Sequence, residues 1–263
     1  GIARSDTEPP EQFCTRAFRL ADSFQSLYQA FGYQKNQKRQ LVKSNETDAY
    51  KDIPIYPYNV FYSFTRDFAR HLNEKDTPVP DNSFVQIGLG SLGSQIANNC
   101  VRSGYGKWVY IDPDTLYPHN LARHCLGQTN IGQNKAEAMK RHANSLFPNG
   151  EEAVTKAISS NVFAAHAQEE ITAAIKEASL VVDCSASVAV GRHLAHELAG
   201  GTRSVSFFMN PAGTALIMLL ENADRTIPLD TLEMQYYRLL TQKPALHNHL
   251  EADHKVLYSS TCR

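Results

Sequence analysis

The chain has 263 residues, 42% of them hydrophobic, and a formal net charge of -1. That length holds one large domain or one domain with an appendage, and the apolar fraction supplies a real core. The near-neutral balance gives no overall field toward nucleic acid or an anionic membrane, and no uninterrupted apolar run is long enough to cross a bilayer.

In chain order, Gly1 to Pro10 is polar and proline-containing, unlike a signal peptide, and it lacks Met, as a processed or cut start would. Phe13, Ala17, Leu20, Phe24, Leu27 and Phe31 then recur at alternating steps of four and three, which predicts a helix stopped by Gly32. The stripe suits a coiled-coil seam or one face packed on a core, and a single short helix favours the packed face. Residues 33–58 read as a solvated basic loop, with Lys35, Lys38, Arg39 and Lys43, broken by Pro54 and Pro57. A second helix is expected from Val60 to Leu72, and Pro78, Pro80 and Asp81 mark a boundary. Residues 1–82 are therefore expected to form a helical extension and linker, and 83–263 a separate domain.

From Ser83 the pattern alternates strands and helices, which predicts an α/β fold: a Rossmann-like, mostly parallel sheet flanked by helices. Strands are expected at Phe84 to Ile87, Trp108 to Ile111 and Leu180 to Val182. Helices are expected along Leu92, Ile96 and Cys100, along Ala136, Met139, Ala143 and Leu146, and from Val188 to Leu198. Ser204 to Phe208 and Thr214 to Leu220 flank the turn-rich Asn210-Pro211-Ala212-Gly213, which suits an antiparallel pair. Leu229 to Leu240 is a final helix.

Gly88-Leu89-Gly90-Ser91-Leu92-Gly93 follows one of these strands and opens a helix. The first glycine makes the tight turn, the second lets the backbone approach phosphate, and the third lets helix pack on strand. Free N–H groups and the helix dipole then favour an anion. Asp112 ends the next strand, ~20 residues on, where an acid accepts from ribose hydroxyls. NAD and ATP fit this much equally. Asp114, Asn120, Arg123 and Lys135 separate them. Hydride transfer has no need of Arg and Lys beside the cofactor phosphates. Breaking a phosphoanhydride builds charge on the α-phosphate and the departing pyrophosphate, which fixed cations offset. Lys135 also opens a helix, where a cation opposes the dipole, and that mild misplacement favours a functional role.

The ordered series Gly88-x-Gly90-x-x-Gly93, Asp112-x-Asp114, Asn120-x-x-Arg123 and Gly132-x-x-Lys135 resembles the ThiF/MoeB family, the adenylating fold of ubiquitin-activating enzymes. Asn120 to His124 and Gly132 to Ala136 are similar to bacterial ThiF-domain proteins, some from ubiquitin-like conjugation systems that include antiphage-defence operons. The resemblance implies that ATP and the C-terminal carboxylate of a ubiquitin-like or sulfur-carrier-like protein form an acyl-adenylate and pyrophosphate. It implies that Gly88, Gly90, Ser91, Leu92 and Gly93 cradle the nucleotide, that Asp112 with Asp114 serves the ribose side, and that Asn120, Arg123 and Lys135 surround the phosphates. It also implies a magnesium ion, a homodimer and a conjugating-enzyme partner. The chain departs from the family at Val182-Asp183-Cys184-Ser185-Ala186-Ser187, where Ala186 replaces the magnesium-holding Asp. Asp183 either substitutes as the metal ligand or caps the following helix. An NAD-dependent oxidoreductase and a non-catalytic scaffold of the same fold are the competing readings.

Relatives pass the adenylated carboxylate to a thiol. The five cysteines are Cys14, Cys100, Cys125, Cys184 and Cys262, scattered without C-x-x-C, which argues against a disulfide framework and a cysteine zinc site and suits a reducing cytoplasm. Cys262, in a polar tail beside Arg263, is the first candidate acceptor, the alternative being an incidental Cys near a chain end. Cys125 ranks second, and Cys100 and Cys184 read as core. His247, His249 and His254 match no metalloprotease spacing and read as a solvated or lightly packed loop.

Overall fold

A computed structural model describes residues 17–20, 28–36, 40–43, 46–58, 61, 63–73, 82–147, 150–196 and 201–251. The chain divides into two compact units, Gly1–Tyr62 and Ser63–Arg263.

In the first unit β1 (Ala17–Leu20) pairs antiparallel with β4 (Ile55–Tyr58), and β2 (Tyr33–Lys35) with β3 (Leu41–Lys43). The expected N-terminal helix is therefore corrected at Ala17–Leu20, whereas Tyr28, Gln29 and Ala30, just before Gly32, are helical as expected, and Phe13, Phe24 and Leu27 of the stripe lie outside the described residues. Ala17-Phe18-Arg19-Leu20 is extended, and so is part of the segment expected as loop. The physical reason lies in the partner. Ile55-Tyr56-Pro57-Tyr58 is rich in β-formers, and a two-stranded ribbon has outer edges, the setting in which a strand tolerates a proline. A stripe at helical spacing does not outweigh a good strand partner.

The second unit opens with α1 (Arg66–Leu72), which is shorter than the expected Val60 start because Thr65 caps it, its side chain accepting from the Phe68 N–H. Arg66 donates to the Gly106 carbonyl at 2.7 Å, and Phe64 stacks on Phe147 with centroids 5.6 Å apart, so α1 packs with residues that follow the expected boundary near 82.

The strands β5 (Ser83–Ile87), β6 (Lys107–Ile111), β7 (Val154–Ile158), β8 (Leu180–Asp183), β9 (Ser204–Met209) and β10 (Leu216–Leu220) form one sheet in the order β10-β9-β8-β5-β6-β7. All pairs are parallel except β9–β10, which is antiparallel as the turn between them predicts. Between strands run α2 (Ser91–Arg102), α3 (Lys135–Asn144), α4 (Gln168–Glu177), α5 (Val188–His196) and, after β10, α6 (Leu229–Gln242). Two apolar clusters cover the sheet, one around Phe84, Ala97, Trp108 and Met139, the other around Val85, Ile111, Ile171, Val190 and Leu229. The chain runs outward from β5 through β6 to β7, then returns to the other flank of β5 as β8. That reversal opens a crevice at the carboxyl ends of the strands, where open α/β sheets bind ligands.

Candidate functional site

Three glycines shape the turn from β5 into α2, and only two are held by protein. Gly88 sits at φ 86°, and a Cβ there would lie 2.6 Å from the Ser185 nitrogen. A Cβ at Gly93 would lie 2.1 Å from the Gly88 carbonyl oxygen, so this glycine lets the helix meet the strand. At Gly90 a Cβ would meet open space. Gly90 is the N-cap of α2 and has no side-chain cap, so the first-turn N–H groups of that helix stay open for an anion.

Asp112 is buried, with one oxygen accepting from the Leu89 N–H at 2.6 Å and the other from the Asp114 N–H at 2.8 Å. Burial pushes its carboxyl up from the usual range, and those two bonds with the Lys135 charge oppose the rise. It holds the turn against the end of β6. The second acid, Asp114, is the exposed one and pairs with the Lys135 ammonium at 2.8 Å. Lys135 itself is buried at the start of α3. Its backbone N–H donates to the Asp114 carbonyl at 2.8 Å, and Asn134 caps the helix at the Glu137 N–H.

Gly88, Gly90, Asp112, Asp114 and Lys135 line one cleft of about 250 Å³. Asn120 and Arg123 are not among its lining residues. The Asn120 side-chain oxygen accepts from the Tyr117 N–H at 2.9 Å and closes a short turn, and the Arg123 carbonyl receives the Ser91 hydroxyl at 3.5 Å. The cleft also takes Ser160, Asn161, Val162 and Phe163 from the loop after β7. These four were missed from sequence because β7 was missed. The available signal was Val154 and Ile158 bracketing three less apolar residues.

A second pocket of about 160 Å³ adjoins at the ends of β8 and β9, lined by Asp183, Ala186, Phe208, Met209 and Leu229 among others. Ser187 lines both cavities. Residues 79–200, which carry the whole first cleft, match the ThiF family. The chain carries a ThiF family domain.

Among curated proteins, the ATP-dependent ubiquitin transferase-like protein Cap2 of Pseudomonas aeruginosa is 27% identical over 188 residues, 70% of this chain and 32% of that protein. Its Enterobacter hormaechei counterpart is 37% identical over 86 residues, 33% of this chain and 14% of that protein. The molybdopterin-synthase adenylyltransferase of Escherichia coli is 31% identical over 115 residues, 43% of each chain. The chain thus spans a third or less of the Cap2 proteins' own length.

In the ThiF domain, Asp183 is almost fully buried. One oxygen accepts from the Ser185 N–H at 2.9 Å and the Ser185 hydroxyl at 2.6 Å, and the other from the Ser206 hydroxyl at 3.0 Å. Burial raises its carboxyl above the usual range against those three bonds. Ala186 lies at φ 54°, a left-handed conformation that favours Gly, Asn or Asp. Among the described residues no group of three His, Cys, Asp or Glu side chains is placed to hold a metal ion.

Burial disfavours the thiolate form of both Cys184 and Cys125. It pushes Cys184 up to about 12 and raises Cys125, whose sulfur contacts the Met139 sulfur at 3.3 Å. Cys262 and His254 lie outside the described residues. His249 packs edge-on against Tyr236, centroids 5.9 Å apart, in keeping with a packed loop.

Proposed function

We propose that this ThiF domain adenylates a carboxylate with ATP. The observation that carries the reading is the buried Lys135 ammonium, set into the wall of the cleft that the open Gly90 turn enters. Its three N–H donors have one described partner, Asp114. The turn takes the triphosphate through backbone N–H groups, and Lys135 with Arg123 offsets charge as it moves toward pyrophosphate. The carboxylate oxygen attacks the α-phosphorus. An acyl–phosphate bond forms, the bond to the β-phosphate oxygen breaks, and pyrophosphate leaves with the electron pair. The adjoining pocket, sharing Ser187, presents the acyl chain to that phosphorus. Asn120 positions Arg123 through the turn it closes, and Asp112 acts on the ribose side by fixing the glycine turn, with Asp114 as the nearer hydrogen-bond acceptor.

In this reading the acyl donor is the C-terminus of a ubiquitin-like or sulfur-carrier-like protein, and the adenylate passes to a thiol, Cys262 being the candidate in this chain. A conjugating enzyme and a second copy of the chain complete the assembly, within a bacterial ubiquitin-like conjugation pathway serving antiphage defence in the cytoplasm. The names and identities of the Cap2 proteins support the modifier class, and the E. coli adenylyltransferase supports the reaction. Magnesium belongs to this chemistry, yet Asp183 fits it poorly. Both its oxygens already accept from protein donors, so no step is routed through a metal there.

ATP–pyrophosphate exchange tests the proposal. Exchange is expected only with the cognate modifier, and Lys135→Ala should lower it about 10²–10³-fold, the loss typical of a donor that stabilises transition-state charge. Exchange that survives Lys135→Ala sinks the assigned roles. Ala186 and an Asp183 that already accepts three protein hydrogen bonds favour one second reading, a scaffold that binds nucleotide without turnover. Tight ATP binding with no exchange for any modifier is its signature.

A further inference from the structure

Three consecutive peptide groups of the glycine turn are anchored by three different partners. The Gly88 N–H donates to the Ile111 carbonyl at 2.9 Å. The Leu89 N–H donates to Asp112 at 2.6 Å. The Leu89 carbonyl accepts from the His124 Nε2–H at 2.8 Å, while His124 Nδ1 accepts from the Leu126 N–H at 3.1 Å. The two ring bonds together require one neutral tautomer, with the proton on Nε2.

The third anchor matters most because the peptide it holds is the easiest to turn over. A glycine at its far end removes the Cβ that would resist rotation. In a planar trans peptide the C=O and N–H point opposite ways. With the Leu89 carbonyl held toward His124, the Gly90 N–H faces away from that ring. It has no hydrogen-bond partner among the described residues, and the space beside Gly90 is open. We propose that His124 is a positioning residue for the phosphate site: by holding the Leu89 carbonyl it keeps the Gly90 N–H aimed into the nucleotide cleft. Released, the 89–90 peptide turns over and offers a carbonyl oxygen to an anion instead. This rests on the nucleotide reading above. Burial favours the neutral ring by lowering its proton affinity, so the same tautomer persists at neutral pH.

Two substitutions separate this role from simple support of the loop. In His124→Gln the amide nitrogen replaces Nε2 and still reaches the Leu89 carbonyl. In His124→Asn the shorter side chain replaces Nδ1, still accepts from Leu126, and leaves the Leu89 carbonyl unheld. ATP affinity is measured by calorimetry, folding by thermal melting, and the Gly90 amide by nitrogen–proton NMR with and without ATP. The expected result is near wild-type affinity for Gln and a loss of about ten- to a hundredfold for Asn, the range for a hydrogen bond to a charged group. The Gly90 resonance of the ligand-free protein should move in Asn and not in Gln. Equal ATP affinity for wild type and Asn, or an unmoved ligand-free Gly90 resonance in Asn, overturns the inference. A wild-type chain that binds no ATP overturns the nucleotide reading instead, and the ligand-free spectrum still decides the peptide's orientation.

Discussion

The two adjoining cavities of the ThiF domain are built on opposite plans. The glycine-turn cleft holds buried Asp112 on backbone N–H groups and buried Lys135 on Asp114, and leaves main-chain N–H donors facing outward, so it is prepared for charge. The pocket at β8–β10 presents Phe208, Met209, Leu219 and Leu229 beside the acids Asp183, Asp230 and Glu233, so its wall is mostly apolar and suited to shape. Its polar anchor lies behind the wall. Glu221 is fully buried and binds Arg225 at 2.7 Å, the Ser204 N–H at 2.9 Å and the Leu229 N–H at 2.9 Å, tying β9 to the start of α6. A site for phosphate needs fixed donors, whereas a site for an acyl chain needs a firm apolar wall. The difference teaches that the two ends of the proposed reaction are supported by separate networks, and separate networks are separable by mutation.

The largest expected effect tests that separation. Glu221→Ala leaves Arg225 and two backbone donors without their acceptor, and breaking such a buried pair costs about 3–5 kcal/mol. Chemical denaturation should show that loss while ATP affinity of the folded fraction stays near wild type. A fall in ATP affinity out of proportion to unfolding would show the networks to be one.

The glycines sharpen the comparison within the cleft. Gly93→Ala pushes a Cβ against the Gly88 carbonyl and should cost about 1–3 kcal/mol in stability, as overpacking does. Gly90→Ala meets no protein atom and should leave the melting temperature nearly unchanged while weakening ATP several-fold by crowding the phosphate. Equal melting losses for both would mean that the open space at Gly90 serves the fold and not a ligand.

These contrasts also show what the sequence makes legible. The glycine turn, Asp112 and Lys135 are readable because each stands at the end of a strand or the start of a helix that the sequence pattern marks, and those ends line one crevice. Strand β7 and its loop Ser160 to Phe163 are not, because Thr155 and Lys156 interrupt the apolar run of a strand at the sheet edge. Nothing in the local pattern marks Glu221, because its partners are Ser204 on the neighbouring strand and Arg225 in the loop that follows. The stripe from Phe13 to Phe31 misleads where Ala17–Leu20 finds a strand partner more than thirty residues away in the chain. Long-range pairing of this kind leaves no mark on local periodicity.

A smaller effect concerns charge at the wall of the second pocket. Burial raises the Asp183 carboxyl, so folding favours its protonated form. The sign follows: its contribution to stability is fully present below the unfolded carboxylate range and is lost as pH rises through the higher folded value. Asp183→Asn removes that titration and keeps an oxygen for the Ser185 N–H. Melting temperature measured across the acidic range should fall less with rising pH in the variant than in wild type. Parallel curves would show that Asp183 folds at its ordinary proton affinity and that the three donors fully offset burial.

The smallest effect lies at Ala186, where a left-handed backbone opens the apolar pocket beside a strand that ends in a buried acid. An L-residue with a Cβ pays about 1 kcal/mol or more to sit there, and glycine does not, though glycine also gives the unfolded chain more freedom. The two effects oppose, so Ala186→Gly should change stability by about 1 kcal/mol at most, toward a higher melting temperature. The informative readout is the difference between the cavities. Ala186 lines the apolar pocket and is not among the residues that line the nucleotide cleft. Its substitution should therefore alter the KM for the acyl donor in pyrophosphate exchange while leaving the KM for ATP where it was. A change in the ATP term alone would place Ala186 on the phosphate side of Ser187, and the division of labour between charge and shape would have to be redrawn there.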